Sequence, residues 1–198
     1  MDTNAGRDRR KDPKMTLTLR RFAFYLLIAV CLGVIAHGQT VSPSKDLPNL
    51  YKVNAKLYRG GQPTESGIKR LANMGVKTIV DLRDNDDRAK KEESWAHAAG
   101  LRFINEPEGT WGKPTRESIA NIIKQIDRAD DQPVFVHCKR GSDRTGTVIA
   151  VYRITHDGWT DKQANAEAKK FGFGWWQFWM KDFINDYYRD FKNRDHRP

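Results

Sequence analysis

From about Tyr51 onward, short apolar runs alternate with longer stretches in which apolar residues recur every three or four positions. The short runs are rich in branched residues, as β-strands are, and the longer stretches have helical spacing. Strands that alternate with helices are typical of α/β domains. The sequence therefore predicts a central, mostly parallel sheet of four to five strands flanked by helices. The predicted strands are Lys56–Arg59, Val76–Leu82, Leu101–Asn105 and Val134–His137.

Helix signals lie between these strands. Thr64 is a good N-cap for a helix that runs to Met74, and Gly75 is placed to end it. A charged helix is predicted over Asp86–Ala99, and a third opens at Pro114 or Thr115. The third helix carries isoleucines at helical spacing, at positions Ile119, Ile122, Ile123 and Ile126.

The stretch Phe171 to Phe191 is rich in aromatic residues. Its apolar positions follow helical spacing, which predicts one helix that packs a stripe on the domain. A substrate-recognition or membrane-contacting face is the alternative. The stripe comprises Trp176, Trp179, Met180, Phe183, Tyr187 and Phe191.

The N-terminal part has the composition of an export signal. The apolar run Phe22 to Ala36 follows Arg20 and Arg21 and precedes small residues suited to cleavage after Gly38. Because a membrane span needs about 20 apolar residues, an uncleaved anchor that associates with the membrane is the lesser alternative. A start at Met15 gives a compact basic leader. We expect a leader over 1–38, a polar linker over 39–50 and a single domain over 51–198, in an exported protein.

The formal net charge is +10, of which residues 1–38 contribute +4, from seven Lys/Arg and three Asp/Glu, leaving +6 for the rest. A positive excess favours anionic partners such as phosphate esters, nucleic acid or acidic lipid. Basic residues in the domain are scattered among acidic ones, so only weak, salt-sensitive association with nucleic acid is expected, and no specific nucleic-acid partner. Cys31 and Cys138 are the two cysteines, and after cleavage Cys138 would be the one thiol. A lone thiol is either reactive or a small buried hydrophobe.

Nucleophile, anion cradle and helix N-terminus converge in the stretch PVFVHCKRGSDRTGTVIA, residues 133–150. A buried-type strand ends at Cys138, and Arg144 with Thr145 opens an apolar helix. Helix N-termini and tight loops present backbone N–H groups that bind phosphate and favour a thiolate over a thiol. The sequence thus predicts that Cys138 is the nucleophile and that the loop from Lys139 to Arg144 holds a phosphate group. The predicted phosphate-binding residues are Lys139, Arg140, Gly141, Ser142, Asp143 and Arg144.

Two side chains have separate predicted tasks in this site. Arg144 offers a planar bidentate donor to two phosphoryl oxygens, which lysine cannot match. Thr145 can donate its hydroxyl to the cysteine sulfur, which eases departure of the thiolate. His137 is expected to orient the loop through hydrogen bonds.

The segment HCKRGSDRTG resembles the HCxxGxxR signature, followed by Ser or Thr, of the cysteine-dependent protein tyrosine and dual-specificity phosphatases. LYRGGQP at Leu57–Pro63 and GVKTIVDLR at Gly75–Arg83 are similar to the compact bacterial and atypical dual-specificity branch. The resemblance implies a phosphatase fold and a two-step reaction through a phosphocysteine on Cys138, without metal or other cofactor. It also implies a phosphorylated substrate, either phosphotyrosine in a protein or an inositol phosphate or phosphoinositide.

The general acid departs from the simplest pattern of that family, because FINEPEGTWGKPT contains no aspartate where one is expected. Glu106 and Glu108 are the carboxylates available there. Asp143 is slightly favoured, since the KxGxDRT pattern is similar to inositide phosphatases of the myotubularin type. Asp81 and Asp84 are weaker candidates that read more simply as turn and capping residues.

Other functions remain alternatives. A sulfurtransferase of rhodanese type also holds a cysteine in an anion-cradling loop, and a catalytically silent phosphate-binding module would share the cradle. The Arg-Thr ending and the upstream YRGGQP favour the phosphatase. A chance turn after a buried cysteine is the remaining structural reading.

Overall fold

Five strands form one sheet in the order β1-β2-β5-β3-β4. The computed structural model describes residues 44–109 and 112–195, so the predicted leader lies outside the described residues. The strands are β1 Tyr51–Lys52, β2 Leu57–Gly61, β3 Thr78–Asp81, β4 Arg102–Asn105 and β5 Val134–Cys138. All neighbouring pairs are parallel except β1 with β2. The predicted fold class, a mostly parallel sheet flanked by helices, is confirmed.

Six helices pack around this sheet in the described residues. They are α1 Glu65–Asn73, α2 Asp87–Ala98, α3 Arg116–Asp127, α4 Asp143–His156, α5 Asp161–Lys170 and α6 Phe178–Asp195. One apolar cluster joins β3 and β5 to α3, α4 and α6, and a second joins the sheet to α1 and α2. Burial of these two layers is the main stabilising contribution to the fold.

The carboxyl end of β5 lies inside the sheet, between two parallel neighbours. Gly61 of β2 is in register with Cys138, and Asp81 of β3 is in register with His137. In open α/β sheets, ligands bind outside the carboxyl ends of the strands. The fold therefore places the loop after Cys138 at the edge where a site is expected.

The domain begins earlier than the predicted boundary at Tyr51. Leu47 and Leu50 are buried, and the carbonyl of Pro48 accepts a hydrogen bond of 2.7 Å from the Gly61 amide. The segment 44–50, predicted as part of the linker over 39–50, is therefore packed on the sheet. The segment was predicted as a linker because most of its residues are polar and it contains proline, but its two leucines belong to the second apolar cluster.

The aromatic tail differs from the single predicted helix. Helix α6 begins only at Phe178, and residues 171–177 form a connection in which Trp175 is 89% exposed and Trp176 39% exposed. Met180 and Phe183 are buried, as the helical spacing predicts. Helix α5 and the two-residue strand β1 were not predicted, because α5 is largely polar and β1 is too short for periodicity. None of the helices in the described residues is both long and apolar enough to cross a bilayer.

Candidate active site

Cys138 ends the central strand and lies at the bottom of a cleft of about 390 Å³. Its side chain is 3% exposed and is a free thiol. Loop residues Lys139, Arg140 and Asp143 line the same cleft with Arg144. The structure therefore brings the predicted nucleophile and the predicted arginine to one opening.

The carbonyl groups of the loop are held on its outer side. The three carbonyls of residues 139–141 all accept hydrogen bonds from other segments. The backbone N–H of Gln62 donates to the Lys139 carbonyl at 3.2 Å. Asn49 Nδ2 donates to the Arg140 and Gly141 carbonyls at 3.3 Å each. Arg59 Nη2 also donates to the Gly141 carbonyl, at 2.6 Å. In a trans peptide the next N–H points opposite to the carbonyl, so the amides of this loop are turned inward.

Glycines allow the loop and strand β2 to lie this close. Gly141 has a φ of +72°, in the left-handed region, and a Cβ built there would lie 2.4 Å from the carbonyl carbon of Gly60. A Cβ on Gly61 would lie 3.0 Å from the Arg140 carbonyl carbon. The glycines of YRGGQP and of the loop thus serve one backbone contact.

The N-terminus of α4 lacks the side-chain cap that four other helices have. Thr64, Asp86, Thr115 and Thr160 each accept a backbone N–H at the start of α1, α2, α3 and α5. Ser142 makes no such bond at the start of α4. The first-turn amides of α4 are therefore left for another acceptor, which is the arrangement of an anion site.

The thiol has a pKa below its ordinary value. Burial alone raises this pKa, because it disfavours the charged form. Hydrogen bonds from the hydroxyl and amide of Thr145, the positive charge of Arg144 and the amide of Gly141 outweigh burial. No other acceptor among the described residues takes up the Thr145 hydroxyl, so this hydroxyl is available to the sulfur. These contacts favour the thiolate form of Cys138 over the thiol.

Arg144 is positioned by two backbone carbonyls. Its Nη1 donates to the Leu82 carbonyl at 3.0 Å and to the Glu108 carbonyl at 3.2 Å. Among the described residues it forms no other hydrogen bond, so Nε and Nη2 are free to meet a ligand at the cleft. The loops after β3 and β4 therefore aim this guanidinium.

Asp143 joins the loop to the aromatic connection. Its Oδ2 accepts from Arg140 at 2.7 Å, and its Oδ1 accepts from the Gly174 amide at 2.8 Å. Both oxygens act as acceptors, so the carboxyl group is engaged on both sides by the loop and the connection. Asp143 lines the cleft as predicted, and its contacts are those of a residue that organises the loop.

The other carboxylates proposed as the acid lie in different surroundings. Glu108 is buried, and its pKa is raised. Burial is the largest cause and the charge of Glu106 adds to it, whereas a hydrogen bond from Ser118 and the charge of Arg144 act to lower the pKa. Neither Glu106 nor Glu108 lines the cleft as described, whereas the exposed Asp84 does. Asp81 is fully buried beneath the loop.

A buried ion pair supports the strand behind the nucleophile. His137 Nε2 lies 2.7 Å from Glu92 Oε1, and His137 Nδ1 lies 3.3 Å from the Cys138 carbonyl oxygen. Burial lowers the pKa of His137, but Glu92 and Asp81 more than reverse this and raise it to about 9. The predicted orienting role of His137 agrees with these contacts.

Sequence reasoning missed the residues that hold the loop from outside. Asn49 lay in the predicted linker, Glu92 is one of several acidic residues on a charged helix, and Arg59 was noted only as part of YRGGQP. Gln177 and Met180 line the cleft from the aromatic connection and α6. Only the YRGGQP motif could have drawn attention to one of them, through its paired glycines.

Comparison with known proteins defines the class. A family model described as a DSP-PTPase phosphatase fused to NAD+ kinase matches residues 30–181. The chain belongs to this dual-specificity and tyrosine phosphatase family.

Named relatives include the dual specificity protein phosphatase TpbA of Pseudomonas aeruginosa. It is 34% identical over 140 residues, which are 70% of this chain and 60% of TpbA. The chain thus spans about 60% of the length of this relative. The crystal structure of P. aeruginosa TpbA matches with a TM-score of 0.58 at 29% identity, over 72% of this chain and 84% of that one.

A solved structure at lower identity shows the fold alone. The catalytic domain of the PP-IP phosphatase SIW14 from S. cerevisiae has a TM-score of 0.65 at 20% identity, over 74% of this chain and 89% of that one.

Proposed function

We propose that this chain is a cysteine-dependent phosphomonoester hydrolase that works through a phosphocysteine on Cys138. One observation carries the proposal. The three loop carbonyls of residues 139–141 are held outward around a thiol whose pKa is lowered, so the amides face the place where a phosphoryl group would bind. Family membership supports the same chemistry.

In the first step the Cys138 thiolate attacks phosphorus, an S–P bond forms and the P–O bond to the leaving group breaks. The leaving oxygen takes a proton from a carboxylic acid. Water then attacks phosphorus and gives a proton to the same carboxylate, the S–P bond breaks and the thiolate returns, with the Thr145 hydroxyl as its hydrogen-bond donor. Arg144 and the loop amides hold the phosphoryl oxygens in both steps.

Glu108 is the proton donor that this proposal tests first: it does not line the cleft, but its backbone is bound to Arg144 beside it. Its raised pKa keeps the acid form to higher pH, and its own carbonyl accepts from Arg144. Asp143, slightly favoured by the motif, has both oxygens engaged by N–H donors instead.

The Glu108→Gln variant tests this assignment. Since protonated Glu108 is required, turnover of an alkyl phosphate falls in the wild type as pH rises through the pKa of Glu108. We expect Glu108→Gln to lose this fall in turnover at high pH, which is the basic limb of the pH–rate profile. Its kcat/KM on the alkyl phosphate should be about 10²-fold lower. The loss on p-nitrophenyl phosphate, whose leaving group needs little protonation, is smaller.

Glu106→Gln is the matched control and keeps the limb. Loss of the limb in Asp143→Asn, with Glu108→Gln unchanged, would transfer the role to Asp143. The measurement is a pH–rate profile of each variant on both substrates.

Phosphotyrosine in a protein is the first substrate class to test. TpbA has been crystallised as a variant in complex with phosphotyrosine, at 26% identity to this chain. The exposed Lys139 and Arg140 beside the nucleophile suit more highly charged inositol phosphates or phosphoinositides as well.

Phosphate release from phosphotyrosyl peptides, phosphoinositides and inositol polyphosphates tests the function directly. We expect turnover on at least one of these substrate classes. We expect no thiocyanate to form when the protein is supplied with thiosulfate and cyanide. Thiocyanate production would favour the sulfurtransferase. Binding of inorganic phosphate without turnover of any substrate would favour a silent binding module.

A further inference from the structure

Arg59 is a fully buried charged side chain on strand β2, with 0% exposure. It is in register with Val136, two residues before Cys138 on the neighbouring strand β5. Because side chains alternate along a strand, Arg59 and Cys138 belong to the same face of the sheet. The guanidinium is thus placed behind the loop that surrounds the sulfur.

The charge of Arg59 is poorly compensated. No carboxylate of the described residues lies within ion-pair distance of it. Its Nη2 donates to the Gly141 carbonyl, and its guanidinium lies 4.0 Å from the ring centre of Phe171. Its Nε and Nη1 have no acceptor. A buried charge with two unmet donors is costly, which calls for a role that offsets the cost.

Four titratable or charged groups face Arg59 from the surrounding elements: Glu167, Cys138, Arg153 and Tyr51. Burial lowers the pKa of Arg59 to about 10, while Glu167 and Cys138 act to raise it. Glu167 is already held by Arg153 through two contacts, at 2.8 and 3.2 Å. Tyr51 is an exposed phenol on β1. The Cys138 thiolate, which Arg144 meets from the cleft, is therefore the remaining anion on this face for Arg59.

We infer that Arg59 is a positioning residue of the site, whose buried guanidinium is a standing counter-charge for the Cys138 thiolate and a clamp on the Gly141 carbonyl. The two roles act together. The Gly141 carbonyl and the Ser142 N–H belong to one planar peptide and point in opposite directions. By holding the carbonyl outward, Arg59 keeps the Ser142 amide turned toward the sulfur.

The inference relies on the proposed function only in taking the thiolate as the nucleophile. Its test therefore uses a reaction that needs no turnover. The rate of Cys138 alkylation by iodoacetamide, measured from pH 4 to 9, gives the thiol pKa in the full chain, and Cys31→Ser serves as the common background. A protein that hydrolyses nothing would refute the proposed function and still report the coupling to Arg59.

Three variants separate charge from hydrogen bonding. Arg59→Gln keeps a donor for the Gly141 carbonyl without the charge, Arg59→Met removes both, and Arg59→Lys keeps the charge. We expect the thiol pKa to rise by about one unit in the Gln and Met variants, so alkylation below that pKa slows about tenfold. The Lys variant keeps a wild-type thiol pKa but loses kcat/KM, because one ammonium cannot reproduce the clamp.

Leu71→Ala is the matched control, since it truncates a fully buried side chain of the second apolar cluster and removes no charge near the loop. It should lower the melting temperature without moving the thiol pKa. An unchanged thiol pKa in folded Arg59→Gln would overturn the inference. An equal rise in Leu71→Ala, which would indicate a general effect of destabilisation, would overturn it too. Circular dichroism identifies the folded variants, and Arg59→Gln decides the outcome if Arg59→Met does not fold.

Discussion

Replacing Cys138 by serine should abolish hydrolysis of p-nitrophenyl phosphate while inorganic phosphate still binds. A serine hydroxyl remains protonated where the thiol is ionised, so the helix N-terminus and Arg144 have no anion to present as nucleophile. Loss of a nucleophile from a working site lowers kcat by roughly 10³-fold to 10⁶-fold. The phosphate cradle persists, because backbone amides and Arg144 form it rather than the sulfur.

Steady-state turnover and the thermal shift on addition of phosphate measure the two parts separately. Cys31→Ser is the matched control, since it removes the other cysteine of the chain and should leave turnover unchanged. Undiminished turnover in Cys138→Ser would remove the proposed mechanism. Lost turnover together with lost phosphate binding would mean that the sulfur, not the amides, organises the cradle.

The sequence predicted the strand, loop and helix of the site because their signals are local. The apolar run before Cys138 predicts a buried strand, the apolar stretch after Thr145 predicts a helix, and the glycine at 141 permits the tight turn between them. The four predicted strands all occur, with shifted ends at Gly61 and Asp81 where pairing with β5 decides the limits. The local pattern was therefore sufficient to place the predicted nucleophile at the end of β5.

The supports of the loop could not be predicted in this way, because they come from distant parts of the chain. Asn49 reaches a carbonyl 92 residues further on, and Arg59 reaches one 82 residues further on. A single sequence shows the residue types but not these pairings. Glu92 illustrates the limit, since its exposed neighbour Glu93 has the same side chain and only the rotation of α2 buries one of them.

The tail shows a different limit. Helical spacing in the sequence extends through Trp176, but the helix begins only at Phe178. The preceding connection 171–177 is not helical, and in it the Gly174 amide donates to Asp143. A Cβ at Gly174 would lie 2.7 Å from the exposed ring of Trp176, which would have to shift. Tertiary contact with the loop has overridden the local period.

Arg144→Lys should reduce kcat/KM by about 10²-fold to 10³-fold, a large effect for a change that keeps the charge. In the wild type, Nη1 is committed to the carbonyls of Leu82 and Glu108, and the rest of the fork remains for the phosphoryl group. A lysine ammonium is a single point that cannot satisfy two carbonyls and grip two phosphoryl oxygens at once.

The lysine should meet the carbonyls, the nearest fixed acceptors, and so turn away from the cleft. The thiol pKa is then expected to rise as well, since the charge of Arg144 is one of the causes that lower it. Steady-state kinetics with p-nitrophenyl phosphate and the alkylation profile of Cys138 measure the two effects, and Arg116→Lys, at the start of α3, is the control. A near wild-type rate in Arg144→Lys would show that the positive charge alone suffices. The bidentate contact would then have no part in the reaction.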